Sequence, residues 1–362
     1  MNIVADPNIP FVREAFGELG KVALVPGRQM NATTVRDADL LLVRSVTPVN
    51  AQLLDGSRVR FVGTATIGFD HVDTQYLQQR GIRFATAAGS NANSVAEYIV
   101  AALLELAHRK GFRLREKTLG VVGVGNVGSK VVRYAEALGM RVLQNDPPRQ
   151  RVEGGPFVSL DRVVAEADII TLHVPLTRSG PDATFHLLEP RRGILINSSR
   201  GAVLDNRALL TAPLEGLVLD VWEGEPNVLP GLLEKTDIAT PHIAGYSLDG
   251  KVNGTRMIYE AVCRWCGLNP TWQPQLPRPV VERREVAVKP SEDDEEVLRR
   301  VVREVYDIMA DDAALRADPR QFDKLRAEYP VRREFYNTTL VLQGASDGLR
   351  AKFAALGFRL AV

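Results

Sequence analysis

The chain has 362 residues, 45% of them hydrophobic and 25% charged, with a net charge of +1. That length predicts two or three domains, and the composition is that of a soluble globular protein. The near-neutral balance gives no electrostatic case for nucleic acid or a membrane surface, no apolar run approaches the roughly 20 residues that a spanning helix needs, and the opening MNIVADPNIP lacks the basic and apolar regions of a secretory signal.

In chain order, the first 85 residues alternate strand-like and helix-like segments. Strand patterns are expected at 2–5, 22–25, 40–43, 59–63 and 82–85, with helical patterns at 11–19, closed by Gly20, and at 74–80, closed by Gly81. Such alternation predicts a parallel α/β sheet whose ligand-bearing loops follow strand ends, here Arg44-Ser45-Val46-Thr47 and Gly63-Thr64-Ala65-Thr66. A long amphipathic helix at about 93–108 then leads into LGVVGVGNVG, where an apolar run breaks into Gly123-x-Gly125-x-x-Gly128. A helix at 130–138 and a second apolar run at 140–143 follow, ending at Asp146, which lies 21 residues after Gly125.

Strand, glycine turn, helix, strand and acid in this order make a dinucleotide fingerprint, and each residue has a physical task. Gly123 permits a tight turn, Gly125 lets a pyrophosphate approach the backbone, and Gly128 lets the helix pack closely. Asn126 and Val127 complete the turn. The helix N-terminus offers free N–H groups to phosphate. A carboxylate at Asp146 suits ribose hydroxyls and would repel a 2′-phosphate, so NAD is expected as the cofactor.

Beyond Asp146 a loop is expected from Pro147-Pro148, then a helix at 161–167 and strands at 169–174, 193–197, 217–221 and 237–239, with a helix at 206–210. Arg200, Glu225 and His242 follow successive strand ends, which in a doubly wound sheet face the cofactor crevice. Arg200 can hold a carboxylate and its neighbouring oxygen with a planar fork. His242 can exchange the proton of a hydroxyl while hydride leaves its carbon, and Glu225 can fix the imidazole tautomer. Glu223 is an equally acidic competitor to Glu225. His71, His108, His173 and His186 have ordinary readings. A helix at about 248–267 contains the only cysteines, Cys263 and Cys266, which read as reduced helix residues with no metal site, consistent with a cytoplasmic setting. Proline-rich NPTWQPQLPRP reads as a linker. A small unit follows, with a strand at 285–288, a helix after SEDDEE and strands at 338–342 and 358–362.

SSRG, DVWEGEP and TPHIAG, in this order after GVGNVG, resemble the D-2-hydroxyacid dehydrogenases, and VRSVTPVN, GTATIGFDHVD and PHIAGYSLDGK extend the similarity over nearly the whole chain. The resemblance implies a Rossmann-type NAD domain at 93–256 inserted in a flavodoxin-like substrate domain at 1–92 and 257–268. A linker at 269–285 and a small α+β dimerisation domain at 286–362 complete the expected organisation. It implies Arg200, Glu225 and His242 as catalytic, Glu225 being selected over Glu223 as the acid before proline. It further implies NAD contacts from Asp146, Val174, Ser198, Ser199, Asp220 and Gly245, and substrate contacts from Arg44, Ser45, Thr66 and Tyr246. The expected reaction is NAD-dependent oxidation of a phosphorylated 2-hydroxy acid in a homodimer. Alternatives are another D-2-hydroxy acid such as 3-phosphoglycerate, or a non-catalytic NAD-sensing role. Arg44 and Lys251 are candidates for the substrate phosphate, as are Arg332 and Arg333 reaching from a second subunit. The segments at 186–193 and 210–217 are shorter than the family's pattern.

Overall fold

The computed structural model describes residues 1–189 and 192–361. The expected short segment at 186–193 and the strand at 358–362 therefore lie partly outside the described residues. The chain folds as two compact units, residues 1–91 with 247–277 and residues 92–246 with 278–362.

In the first unit, β1 (Asn2–Ala5), β2 (Lys21–Leu24), β3 (Leu40–Val43), β4 (Phe61–Thr64) and β5 (Arg83–Thr86) form one sheet in the order β2-β1-β3-β4-β5. Every pair is parallel, and the order is that of flavodoxin-like sheets. All four residues of β3 and of β4 are buried, as expected for strands covered on both faces. One cover is the helix Leu248–Cys266, whose Ile258, Tyr259 and Val262 join a core with Ile3, Phe16 and Phe61. The approach is close: a Cβ at Gly63 would lie 2.5 Å from Ile258 Cγ2. Cys263 is buried in this helix and Cys266 half-buried, both as free thiols.

In the second unit, β6 (Thr118–Val122), β7 (Arg141–Asn145), β8 (Ile169–Leu172), β9 (Ile194–Asn197), β10 (Gly216–Leu219) and β11 (Ile238–Ala239) form a parallel sheet in the order β11-β10-β9-β8-β6-β7. It differs from the six-stranded Rossmann order at both edges, with β11 added beyond the three strands usual on that side of β6. The strand that would flank β7 is reduced to a single bridge, Gln144 with Phe157. The order in which strands are added reverses at β6, whose parallel neighbours are β7 and β8, so the ligand crevice of a doubly wound sheet falls at the carboxyl ends of β6 and β8.

The C-terminal segment belongs to this unit. Its β12 (Arg283–Ala287), β13 (Thr339–Gln343) and β14 (Arg359–Leu360) make a separate parallel sheet. Val297, Leu298, Val301 and Phe335 share one core with Tyr98, Leu103 and Leu106 of the helix Ala92–Lys110. Several short helices are absent from the sequence reading, among them Ala32–Val35, Ala51–Leu54, Pro230–Lys235 and Ile308–Ala317. A helix, Pro147–Glu153, also replaces the loop expected after Asp146. Proline at the first helical position needs no N–H partner, and the Asp146 side chain caps the Arg149 N–H, so the diproline starts a helix rather than excluding one.

Replacing Gly63 by alanine forces Ile258 to move. We expect a loss of roughly 1–3 kcal/mol in unfolding free energy, the usual cost of overpacking, measured by urea titration.

Candidate active site

The glycine turn follows β6 directly. Gly123 has φ of 85°, and a Cβ there would lie 2.6 Å from the carbonyl oxygen of His173, so both torsion and space require glycine. A Cβ on Gly128 would lie 1.9 Å from the Gly123 carbonyl oxygen. Gly125 differs: nothing lies within 4 Å of where its Cβ would be. The fold leaves that space open, as a cradle for a pyrophosphate would. Val174 lines the turn, its Cγ1 2.8 Å from the Cβ position of Gly123. Asn126 is exposed and Val127 half-buried at the start of the helix Gly128–Ala137.

Asp146 follows β7 directly and lies beside this turn. Its Oδ2 accepts from Val124 N at 2.8 Å and its Oδ1 from Arg149 N at 3.0 Å. The carboxylate is thus fixed in place, with lone pairs remaining on both oxygens. Beyond β9, the buried Oγ of Ser198 has no hydrogen-bond partner, while Ser199 Oγ donates to Asn197 Oδ1 at 2.9 Å. The orphan buried hydroxyl and the helix N-terminus are donor groups suited to a dinucleotide, and the open space at Gly125 gives it room to approach.

Arg178, Arg200, Trp222, Glu225 and His242 line a cleft of about 400 Å³ in the second unit. Arg200 is half-buried and donates from Nη1 to Ser199 O at 2.8 Å, while its own carbonyl accepts from Asn197 Nδ2 at 2.9 Å. The Nδ1 of His242 lies 2.7 Å from Glu225 Oε2, and Glu225 Oε1 accepts from Trp222 N at 3.1 Å. Burial pulls the Glu225 carboxyl upward, but the charge of His242 and these hydrogen bonds outweigh it, and its pKa sits below the ordinary glutamate value. An ionised carboxylate only accepts, so the hydrogen bond at Nδ1 is donated by the ring, and in the neutral imidazole Nε2 is the nitrogen that lacks a proton.

The competitor acid, Glu223, lines the same cleft, but its carboxylate is engaged away from His242. Glu223 Oε1 lies 3.2 Å from His186 Nε2, and Oε2 accepts from Asn206 N at 3.3 Å. Of the other histidines, His173 pairs with Thr171 Oγ1 at 3.0 Å, and burial pushes its pKa down to about 3. His108 meets Glu296 at 3.2 Å, and His71 meets Thr64 Oγ1 at 3.2 Å.

Asp220 is 1% exposed. Its Oδ1 accepts from Thr240 Oγ1 and Ile243 N, each at 2.7 Å, and its Oδ2 from Ala244 N at 3.0 Å. Its carbonyl accepts from His242 N at 2.7 Å. The residue ties the loop that presents His242, which itself has φ of 56°. Burial pushes the Asp220 carboxyl up, against the charge of His242 and these bonds. Gly245 and Tyr246, both half-buried, end this loop, and the Tyr246 ring meets Tyr329 edge-on at 5.8 Å.

In the first unit, exposed Ser45 follows β3, and half-buried Arg44 precedes it. Thr66 follows β4, donating to Gly68 O at 2.9 Å beside Thr64 Oγ1 at 2.7 Å. Arg332 and Arg333 are not available to a second subunit. They are 6% and 9% exposed. Arg332 donates to Ala244 O at 2.6 Å and Arg333 to Asn337 Oδ1 at 2.9 Å within their own chain. Sequence reading also passed over Tyr98, whose hydroxyl lies 2.9 Å from Thr240 Oγ1. Trp222, whose Nε1 donates to Thr240 O at 3.0 Å, stood in a quoted motif but was not singled out.

Residues 83–244 match the family model of the D-isomer specific 2-hydroxyacid dehydrogenase NAD binding domain. Residues 276–357 match a domain of unknown function, DUF3410. Among solved structures, D-lactate dehydrogenase of Aquifex aeolicus complexed with NAD and lactic acid is similar at a TM-score of 0.60 and 27% identity, covering 74% of this chain and 96% of that one. The TT0316 protein of Thermus thermophilus is similar at a TM-score of 0.64 and 26% identity, covering 75% and 98%. An erythronate-4-phosphate dehydrogenase of Salinibacter ruber is 49% identical over 97% of this chain and 99% of its own. One of Aeromonas hydrophila is 50% identical over 99% of each. The chain belongs to the erythronate-4-phosphate dehydrogenases, within the D-isomer specific 2-hydroxyacid dehydrogenase family.

The open space at Gly125 and the filled space at Gly128 predict opposite phenotypes. Gly125→Val is expected to leave the melting temperature near wild type and to weaken NADH binding at least about tenfold by occupying the phosphate approach. Gly128→Val is expected to lose stability outright. NADH fluorescence titration beside thermal denaturation separates the two.

Proposed function

We propose that this chain oxidises the 2-hydroxyl of 4-phospho-D-erythronate to (R)-3-hydroxy-2-oxo-4-phosphooxybutanoate, a step of pyridoxal 5′-phosphate (vitamin B6) biosynthesis. The observation that carries the reading is the 2.7 Å pair of His242 Nδ1 and Glu225 Oε2 lining one cleft with Arg200, in a chain about half identical to enzymes of that name over their whole length. Gly123, Gly125, Asn126, Val127, Gly128, Asp146, Val174, Ser198, Ser199, Asp220 and Gly245 are assigned to the NAD site, Asp220 through the loop that it ties. NAD, when bound, supplies the acceptor for the hydride that leaves C2.

The Nε2 of His242 removes the proton of the 2-hydroxyl as the C2–H bond breaks, and the ring becomes imidazolium. Glu225 holds Nδ1 and stabilises that cation. Arg200 holds the substrate carboxylate and the oxygen on C2 through its planar fork, favouring the negative charge that develops on that oxygen. In reverse, imidazolium returns the proton. Ser45, Thr66 and Tyr246 are assigned to the substrate, and Arg44 and Lys251 to its phosphate.

A working homodimer in the cytoplasm is part of the same proposal. Among the described residues no helix is long and apolar enough to cross a membrane.

Mixing the protein with NAD and 4-phospho-D-erythronate is expected to produce NADH, faster than with 3-phosphoglycerate or glycerate. His242→Ala should lower kcat by roughly a hundredfold or more, the scale of lost acid–base catalysis, and near-wild-type turnover would remove the assigned role. Light scattering coupled to gel filtration should give twice the 39.8 kDa chain mass; a monomer mass sinks the dimer.

A further inference from the structure

We propose that the C-terminal segment, whose family model carries no function, is a brace for the His242 loop, with Asp312 and Arg332 as positioning residues. The inference rests on the reading of His242 as the acid–base group. The loop leaves β11, which has two residues and lies at the edge of its sheet. Such an edge leaves main-chain groups without a strand partner. The Ala239 N–H, three residues before His242, is met by Asp312 Oδ1 at 2.7 Å. Asp312 is 5% exposed and held by Arg316 Nε at 3.0 and 2.9 Å. Arg316 also donates to Leu233 O at 2.8 Å and Thr236 O at 2.6 Å, the chain that feeds β11.

The other end of the loop is fixed from the same segment. Arg332 donates from Nη2 to Ala244 O, two residues after His242, at 2.6 Å, and to Ser94 O at 3.2 Å. Its guanidinium stands 4.2 Å over the Tyr306 ring. Beyond Ala244, the Tyr246 ring is met by Tyr329 at 5.8 Å and by the Arg326 guanidinium at 5.6 Å. Arg332 is 6% exposed, yet its Nε and Nη1 have no hydrogen-bond partner. Burial works against the Arg332 charge, but Tyr306, Tyr329, Glu97 and Asp311 outweigh it, and its hydrogen bonds go to main-chain oxygens, Ala244 O and Ser94 O. Its one strong bond goes to the main chain beside the acid–base residue, and that points to positioning. A misplacement of about 1 Å can cost a hundredfold in rate.

The test compares wild type with Arg332→Met, Arg332→Lys and Asp312→Ala. Hydrogen–deuterium exchange is followed in peptides covering 239–246 and 123–128, beside NADH affinity and steady-state kinetics. Arg332→Met should speed exchange at 239–246 and leave 123–128 unchanged. It should lower kcat about tenfold to a hundredfold while NADH affinity stays within about twofold, and Arg332→Lys, which keeps a donor for Ala244 O, should recover most of kcat. Asp312→Ala, loosening the other end, should show the same split and serves if Arg332→Met does not fold. A folded variant with wild-type exchange at 239–246 and wild-type kcat overturns the brace, as does exchange that rises equally throughout the second unit. Exchange needs no substrate, so it decides the brace separately from whether the wild-type chain oxidises the phosphorylated acid.

Discussion

The carboxylate of Asp220 is where the loop carrying His242 takes its shape. It is almost wholly buried, and it gathers Thr240 Oγ1, Ile243 N and Ala244 N while its carbonyl takes His242 N. Four bonds to one residue turn the chain back on itself directly after β11. A charge in that place would be costly without them. With them, His242 sits in the left-handed region and its ring meets Glu225. The Tyr98 hydroxyl continues the chain of donors, because Thr240 Oγ1 spends its proton on Asp220 and accepts from Tyr98.

Around that loop the second unit is assembled from distant pieces. Its sheet supplies the strand ends, the helix Ala92–Lys110 supplies Tyr98, and the C-terminal segment supplies Asp312 and Arg332. The cofactor turn is built differently. Gly123, Gly128 and Val174 are locked by contacts within a single strand–turn–helix and its neighbouring strand end. One half of the site is thus local in sequence and the other half is not.

That contrast explains what the sequence disclosed. Spacing alone identified the glycine turn, Asp146 and the strand ends, because period-two apolar runs and glycine torsions are local matters. Buried strands such as β3 and β9 read clearly for the same reason. Choosing Glu225 over Glu223 needed either the family pattern or the structure, since two acids two residues apart are equivalent until the turn is folded. Asp312, Arg326 and Arg332 had no spacing signal at all. They act through tertiary hydrogen bonds and ring contacts, and a charged residue in a polar segment looks like solvated surface until its burial is known. Helices of four to seven residues, such as Pro147–Glu153, are too short to show a 3.6-residue period.

The contact of Gly63 with Ile258 in the first unit also bears on how the chain is made. The helix that covers this face of the sheet is translated roughly two hundred residues after β4, at least roughly ten to forty seconds later at ribosomal rates. Throughout that interval the N-terminal sheet has an uncovered apolar face, while the nucleotide-binding sheet emerges behind it. The inserted topology therefore leaves the nascent N-terminal half incomplete until the stretch from residue 247 onward has emerged, and places its completion after that of the sheet inserted into it.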